Sequence, residues 1–311
     1  MTTNEQIVNK AAISTGDLAA GGILNAEQAK KFIVQTFEKT VLGNLIRHEQ
    51  RTATSGEIDK IGIDKRILRA KTEGTDDNYR AKANLSKIQY NTTPVRLPWE
   101  INEESLRQNI EGQNFESIVT DLMTTQLGLD REDLLMNGDA AVAPGSDDYD
   151  FLKVNDGWYK LLKNNAFTDN RTSVGSGAMS IAVFYDALRM IPNKFNNGNL
   201  RWLMSPARAQ KWEEYLLNLM VTAGGGVTDS VLKQPAGIPI VRVPSMPNDS
   251  IVLTDPKNLI AVDTYNVIIR KTTEGREAVM QDKRFYVVHF DFDAIVEEYT
   301  AACVTYGLAA I

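Results

Sequence analysis

The sequence predicts an α+β fold, and three observations carry that reading. Two strand-like runs, Gly56–Ile63 and Leu85–Leu97, partly alternate apolar and polar residues and flank a densely charged stretch from Asp64 to Asn84. A long helical pattern then runs from near Asn114 to about Met136. Beyond the Gly/Ser-rich stretch Val174–Gly177, shorter helical and strand-like segments intermingle. Strands set apart from one long helix, followed by a mixed half, fit segregated layers rather than a regular βαβ alternation.

Composition narrows the class. A chain of 311 residues is long enough for about two domains. Its 43% hydrophobic and 24% charged content is that of an ordinary globular protein rather than a disordered one. The net charge of −6 argues against a dedicated nucleic-acid surface. The single cysteine, Cys303, allows no intrachain disulfide and fits a reducing compartment. No apolar run approaches the ~18 residues of a membrane helix. Met1–Gln6 lacks the basic and apolar regions of a secretory signal, so assembly in the cytoplasm is the expectation.

In chain order, residues 1–24 are polar, carry Gly16, Gly21 and Gly22, and read as a flexible arm. Asn25 and Gln28 make a variant capping box for a helix to about Lys39, with Ala29, Phe32, Ile33 and Phe37 on one face. After the charged stretch, Asn102 opens a short helix, Glu103–Asn109, with acids in its first turn. Phe115, Ile118, Val119, Leu122, Met123 and Leu127 form the apolar stripe of the long helix, a rod of about 35 Å. Gly138 suits a left-handed cap behind it. Residues 140–156 read as loop. Helix Ile181–Met190 and strand Leu200–Met204 follow, and Ser205–Pro206 is an N-cap with an N1 proline opening helix Ala207–Leu219. Short strands are expected at Ile238–Val243, Ile251–Thr254, Leu259–Asp263 and Val267–Lys271. A last β region is expected at Arg284–Asp291 and Ala294–Val304.

Nothing in the chain spells out catalysis, and no cofactor or metal is expected. His48 and His289 lie far apart with no ligand spacing. Cys303 sits among apolar neighbours, the setting of an inert thiol. Asp291 and Asp293 share one side of a strand, so they could act with His289 as an acid–base or metal pair; a solvated strand end explains them equally simply. Gly224–Gly226 lacks the Lys-Ser/Thr of a P-loop. Trp202, Trp212 and Tyr215 read as core.

The charged finger is more informative. Arg66, Arg69 and Lys71 come first, then Glu73, Asp76 and Asp77, then Arg80, with Ile67, Leu68 and Tyr79 as apolar anchors. Connections beyond about 12–15 residues are functional or disordered. Blocks of both signs suit a docking ribbon, because complementary charge fixes register on a partner. A solvated loop is the simpler alternative. On the docking reading the ribbon cannot bury itself in its own chain and rests on a neighbour.

The order of parts, with Leu134–Asp139, Asp156–Leu162, Leu200–Pro206, Pro235–Ile240 and Met246–Pro247, resembles the major capsid proteins of tailed bacteriophages with the HK97 fold. The resemblance implies an N-terminal arm and first helix (1–50), an extended β-hairpin E-loop (51–98), a P domain with the spine helix (99–175 and 264–298) and an A domain (176–263 and 299–311). It further implies a shell subunit forming hexamers and pentamers around DNA, with Thr222, Gly224, Gly225, Gly226 and Asp229 near the capsomer axis. The arm is short, which implies a separate scaffolding protein or assembly without one, beside a portal. An encapsulin-like compartment shares the fold and is the rival reading.

Overall fold

The computed structural model describes residues 40–63, 66–70, 74, 78–103, 114–164, 171–223, 234–264 and 268–309. The arm, the first helix, most of the short helix Glu103–Asn109, Lys71, Glu73, Asp76, Asp77, Gly224–Gly226 and Asp229 lie outside the described residues.

The strands form two sheets and a separate hairpin. In the first sheet β1 (Arg47–Arg51) runs parallel to β9 (Leu259–Thr264). β9, β10 (Ile268–Thr272) and β4 (Thr93–Asn102) all pair antiparallel with the long β11 (Lys283–Val296). In the second sheet β5 (Arg171–Gly177), β12 (Ala302–Leu308), β8 (Ile251–Thr254), β6 (Arg201–Met204) and β7 (Ile240–Arg242) lie side by side in that order. The hairpin is β2 (Ser55–Gly62) with β3 (Asn84–Asn91). Leu259–Asp263, expected in the second unit, belongs to the first sheet, because its backbone bonds are made to β1 and β11.

The second sheet is buried on both faces, and its sequence reads accordingly as apolar runs rather than strict alternation. Trp202, Met204, Ile251, Leu253 and Cys303 face a core with helices α4 (Ile181–Met190) and α5 (Pro206–Ala223), where Phe184 meets Trp202 and Trp212 edge-on. Leu203, Val252, Ala302 and Val304 face the other way. They join Phe292, Ala294, Val296 and Leu134–Met136 in a core shared with the first sheet. Ser205 caps α5, its Oγ accepting from the Arg208 amide at 3.1 Å.

Helix α1 (Asn114–Asn137, 24 residues) spans about 36 Å. It buries a different stripe from the one expected. Leu122 is 63% exposed and Leu129, seven residues on, 45%, while Leu127, Leu134, Leu135 and Met136 are buried. Leu127 lies on Val288, Leu97, Trp99 and Phe290 of the first sheet, so that sheet selects the buried side. Near its start, Glu116 is bound by Lys271 and Arg284; burial pushes its carboxyl up, but these partners and Tyr286 outweigh that and hold it below the usual range.

Where α1 ends, two stretches of backbone cross. Gly138 does not have the left-handed conformation expected of it. A Cβ there would stand 2.4 Å from the Asn155 carbonyl oxygen, and one on Gly157 2.5 Å from that of Met136. The Gly157 amide donates to the Gly138 carbonyl at 2.8 Å. The crossing starts α3 (Trp158–Asn164), whose fully buried Trp158 donates its Nε1–H to the Ile295 carbonyl at 3.0 Å.

Other expectations shift. Leu85–Leu97 is two strands, broken where the Thr92 amide bonds to the Thr54 carbonyl at 2.7 Å. The Gly/Ser-rich stretch lies within an edge strand, β5, held by backbone pairing to β12. β11 runs unbroken through Asp291–Asp293. The loop 140–156 holds a one-turn helix, α2 (Tyr149–Leu152). β1 and α6 (Arg276–Gln281) carried no periodicity strong enough to predict.

Arg131 of α1 and Asp263 of β9 form a buried ion pair, with His48 Nδ1 3.9 Å from the Asp263 carboxylate. Burial pushes the Asp263 carboxyl up, but the Arg131 and His48 interactions outweigh it and hold it below the usual range. Its stabilisation is therefore complete above the unfolded-state value and is lost as pH falls through the folded one. Glu132 and Asp133, pushed up by burial, act in the opposite sense. Two outcomes are expected. Gly157→Ala should cost at least about 1–3 kcal/mol, read as a lowered thermal midpoint, because backbone must move. Asp263→Asn should cost about 3–5 kcal/mol at neutral pH. It should also flatten the loss of stability below about pH 4 in acid titrations followed by circular dichroism.

Candidate assembly surface

The finger is built in two halves with different surroundings. Its base is fastened to the body of the same chain. Ile58 and Tyr90, both buried, and the partly buried Ile88 pack on Ile260, Val262 and Ile295. Gly56 makes room for the Tyr90 ring, whose hydroxyl would lie 2.8 Å from a Cβ at that position. The Lys60 ammonium sits 2.5 Å from the Glu298 carboxylate and donates to the Glu297 carbonyl at 3.3 Å. The Asn91 amide donates to Asp293 Oδ2 at 2.8 Å. The expectation that the ribbon cannot bury itself in its own chain is thus corrected for the base: Ile58 and Tyr90 supply an apolar face that the body covers.

The distal half has a different character. Pairing ends at Gly62 with Asn84. Ile61, Ile63 and Leu85 are 72%, 59% and 76% exposed, and Leu68 is 94% exposed. The described residues beyond this point carry Arg66, Arg69, Arg80 and Lys82 and no acid. Arg69 lies over the Tyr79 ring, 3.7 Å from its centroid, and Arg80 donates to the Tyr79 carbonyl at 2.9 Å. Of the residues expected to form the contact, Arg66, Ile67, Leu68, Arg69, Tyr79 and Arg80 therefore stand together on this distal segment. Ile61, Ile63 and Leu85 were not singled out from the sequence, although their alternation with Lys60, Gly62 and Ser86 carried the signal.

Asp293 serves as a bracket. Its carboxylate accepts from the Asn91 amide and, at 2.9 Å, from the Ala294 amide; burial pushes its pKa up against these bonds. His48 Nε2 lies 2.8 Å from the Gly43 carbonyl, and Cys303 is 1% exposed in the second core. Thr222, expected in a loop, lies in the last turn of α5. Among the described residues, no group of three or more His, Cys, Asp or Glu is arranged to hold a metal ion, and no helix is long and apolar enough to cross a membrane.

No family model matches the chain. YqbE of Bacillus subtilis strain 168, provisionally named a prophage capsid protein, is 24% identical over 311 residues, covering 95% of this chain and 96% of its own. The satellite phage P4 procapsid that includes the size-determination protein contains a similar chain, at TM-score 0.69 and 16% identity over 99% of this chain and 98% of that one. The capsid of an empty GTA particle follows at TM-score 0.64 and 11% identity, over 88% and 90%. The encapsulin SrpI of Synechococcus elongatus is similar at TM-score 0.53 and 13% identity, over 86% and 87%. What these chains share with this one, from end to end, is architecture: this protein has the HK97-like capsid fold.

Proposed function

We propose that this chain is the structural subunit of an icosahedral phage head, assembling into hexamers and pentamers that enclose double-stranded DNA. The observation that carries the reading is the distal finger. It presents Leu68, Leu85, Ile61 and Ile63 with a set of arginines beyond the reach of its own body. A surface of this kind is a binding surface for another macromolecule. In a chain with a capsid fold, a neighbouring copy is the partner. The finger is then the E-loop and α1 the spine helix. The P domain holds the first sheet, including β9, and the A domain the second. Arg66, Ile67, Leu68, Arg69, Lys71, Glu73, Asp76, Asp77, Tyr79 and Arg80 form the contact, with Thr222, Gly224–Gly226 and Asp229 near the capsomer axis.

The physics of a shell fits this division. Contacts between non-identical patches close into rings. Several modest contacts per subunit raise the effective concentration of each, so the assembled state persists though single contacts are weak. A net charge of −6 keeps packaged DNA from sticking to the wall. The role is structural, without catalysis; Asp293, the residue an enzymatic reading would need, brackets the finger. A separate scaffolding protein and a portal complete the particle, which assembles in the host cytoplasm and makes this chain a virion component. The encapsulin-like compartment is the second reading, favoured by the likeness to SrpI. Genes for a portal and terminase beside this one separate a phage head from a compartment, which would travel with a cargo enzyme.

Purified protein imaged in negative stain should contain closed shells or capsomers; a population of only monomers or compact dimers would overturn the proposal. Reversing Arg66, Arg69 and Lys71 to Glu should abolish particles while leaving the circular dichroism spectrum of the subunit unchanged. Wild-type particle yield from that variant would remove the arginines from the contact.

A further inference from the structure

The ribbon has two sides, and only one belongs to its own chain. Successive strand residues point to opposite faces. Ile58, Ile88 and Tyr90 point to the body. Ile61, an odd number of residues from Ile58, points away from it, and its cross-strand partner is Leu85. With Ile63 two residues further on, these three make an exposed apolar patch on the outward side of the distal half. The base, fixed by Asp293 and Glu298, prevents the ribbon from turning over to hide it.

A second surface on the same chain lacks a covering layer among the described residues. On the first sheet, Ile101, Tyr286, Val288 and Phe292 are buried on one side. The alternate residues Pro98, Phe285 and Val287 occupy the other side, and none of them is buried. They line a groove of about 770 Å³ together with Glu100, Arg270 and Thr272. The charges at the two margins are complementary. Asp59 shares the outward side of the finger with the patch, and Arg96 shares the open sheet face with Arg270.

We infer that the Ile61–Ile63–Leu85 patch of one copy seats in the Pro98–Phe285–Val287 groove of a second copy. This deepens the shell reading and rests on it. The contact joins two different surfaces of identical chains, so it is head-to-tail and propagates around a ring instead of closing a dimer. It also fixes a polarity. Each finger is gripped from one side at its base by its own body and from the other side at its distal half by the neighbour.

Two variants of equal charge test the polarity. Ile61→Lys with Leu85→Lys alters the outward side; Asn84→Lys with Ser86→Lys alters the inward side at the same height. The outward pair should reduce particle yield at least tenfold with a folded subunit, and the inward pair should leave it within twofold of wild type. Equal yields from the two pairs, whether high or low, would overturn the inference. The groove is tested by Leu85→Cys with Val287→Cys and a short bis-maleimide, Cys303 being buried. A ladder of linked multimers on a denaturing gel supports it, while a link within single chains, or none, overturns it. If wild-type protein forms no particles, the shell reading falls, and the ladder in concentrated protein still decides this contact.

Discussion

The architecture depends on the close crossing of backbone at Gly138 and Gly157. It brings the C-terminal end of a 36 Å helix directly onto the start of α3, within hydrogen-bond distance and with no side chain between. That approach delivers Trp158 into the core, where its ring is fully buried and its Nε1–H reaches the carbonyl of Ile295 in β11. A buried indole of this kind contributes about 3–5 kcal/mol by the cost of truncating it. Through it the long helix, the first sheet and the core shared with the second sheet become one mechanical unit.

A rigid body is what makes an extended finger useful. A ribbon hinged on a soft base would lose entropy on docking and gain little from charge complementarity. Here the base is held by packing of Ile58 and Tyr90, by a backbone amide on Asp293 and by the Lys60–Glu298 pair. The partly exposed ion pair contributes about 0–1 kcal/mol, so the apolar contact and the hydrogen bond carry the fixation. The distal half is thus presented at a set angle, with its apolar residues and arginines pointing where only another molecule can meet them.

The two halves of the chain manage polarity differently. The second sheet is apolar through and through because helices and the shared core cover it. The first sheet is covered on one side by α1 and remains open on the other around Phe285 and Val287. Buried charge is confined to the Arg131–Asp263 pair, which ties α1 to β9 beside the segment that leads in from the N-terminus. Such a pair adds little net stability over an apolar replacement, but breaking it is costly, so it fixes which surfaces meet.

Much of this was legible in the sequence because local physics decided it. The span of the long helix follows from its 3.6-residue period, the start of α5 from Ser205 and Pro206, and β8 from an apolar run bounded by turn residues. The charged finger was legible from its length and composition. Tertiary structure decided what sequence patterns leave degenerate. An apolar stripe does not say which sheet will cover it, so Leu122 was expected inside and lies outside. β1 and β5 exist through backbone pairing that side-chain periodicity does not encode. A glycine in sequence fits either a left-handed turn or a close approach, and only the neighbouring carbonyl of Asn155 settled Gly138 as the second. The two-sidedness of the finger is of the same kind: alternation gives two faces, and only the position of the body reveals which one is left for a partner.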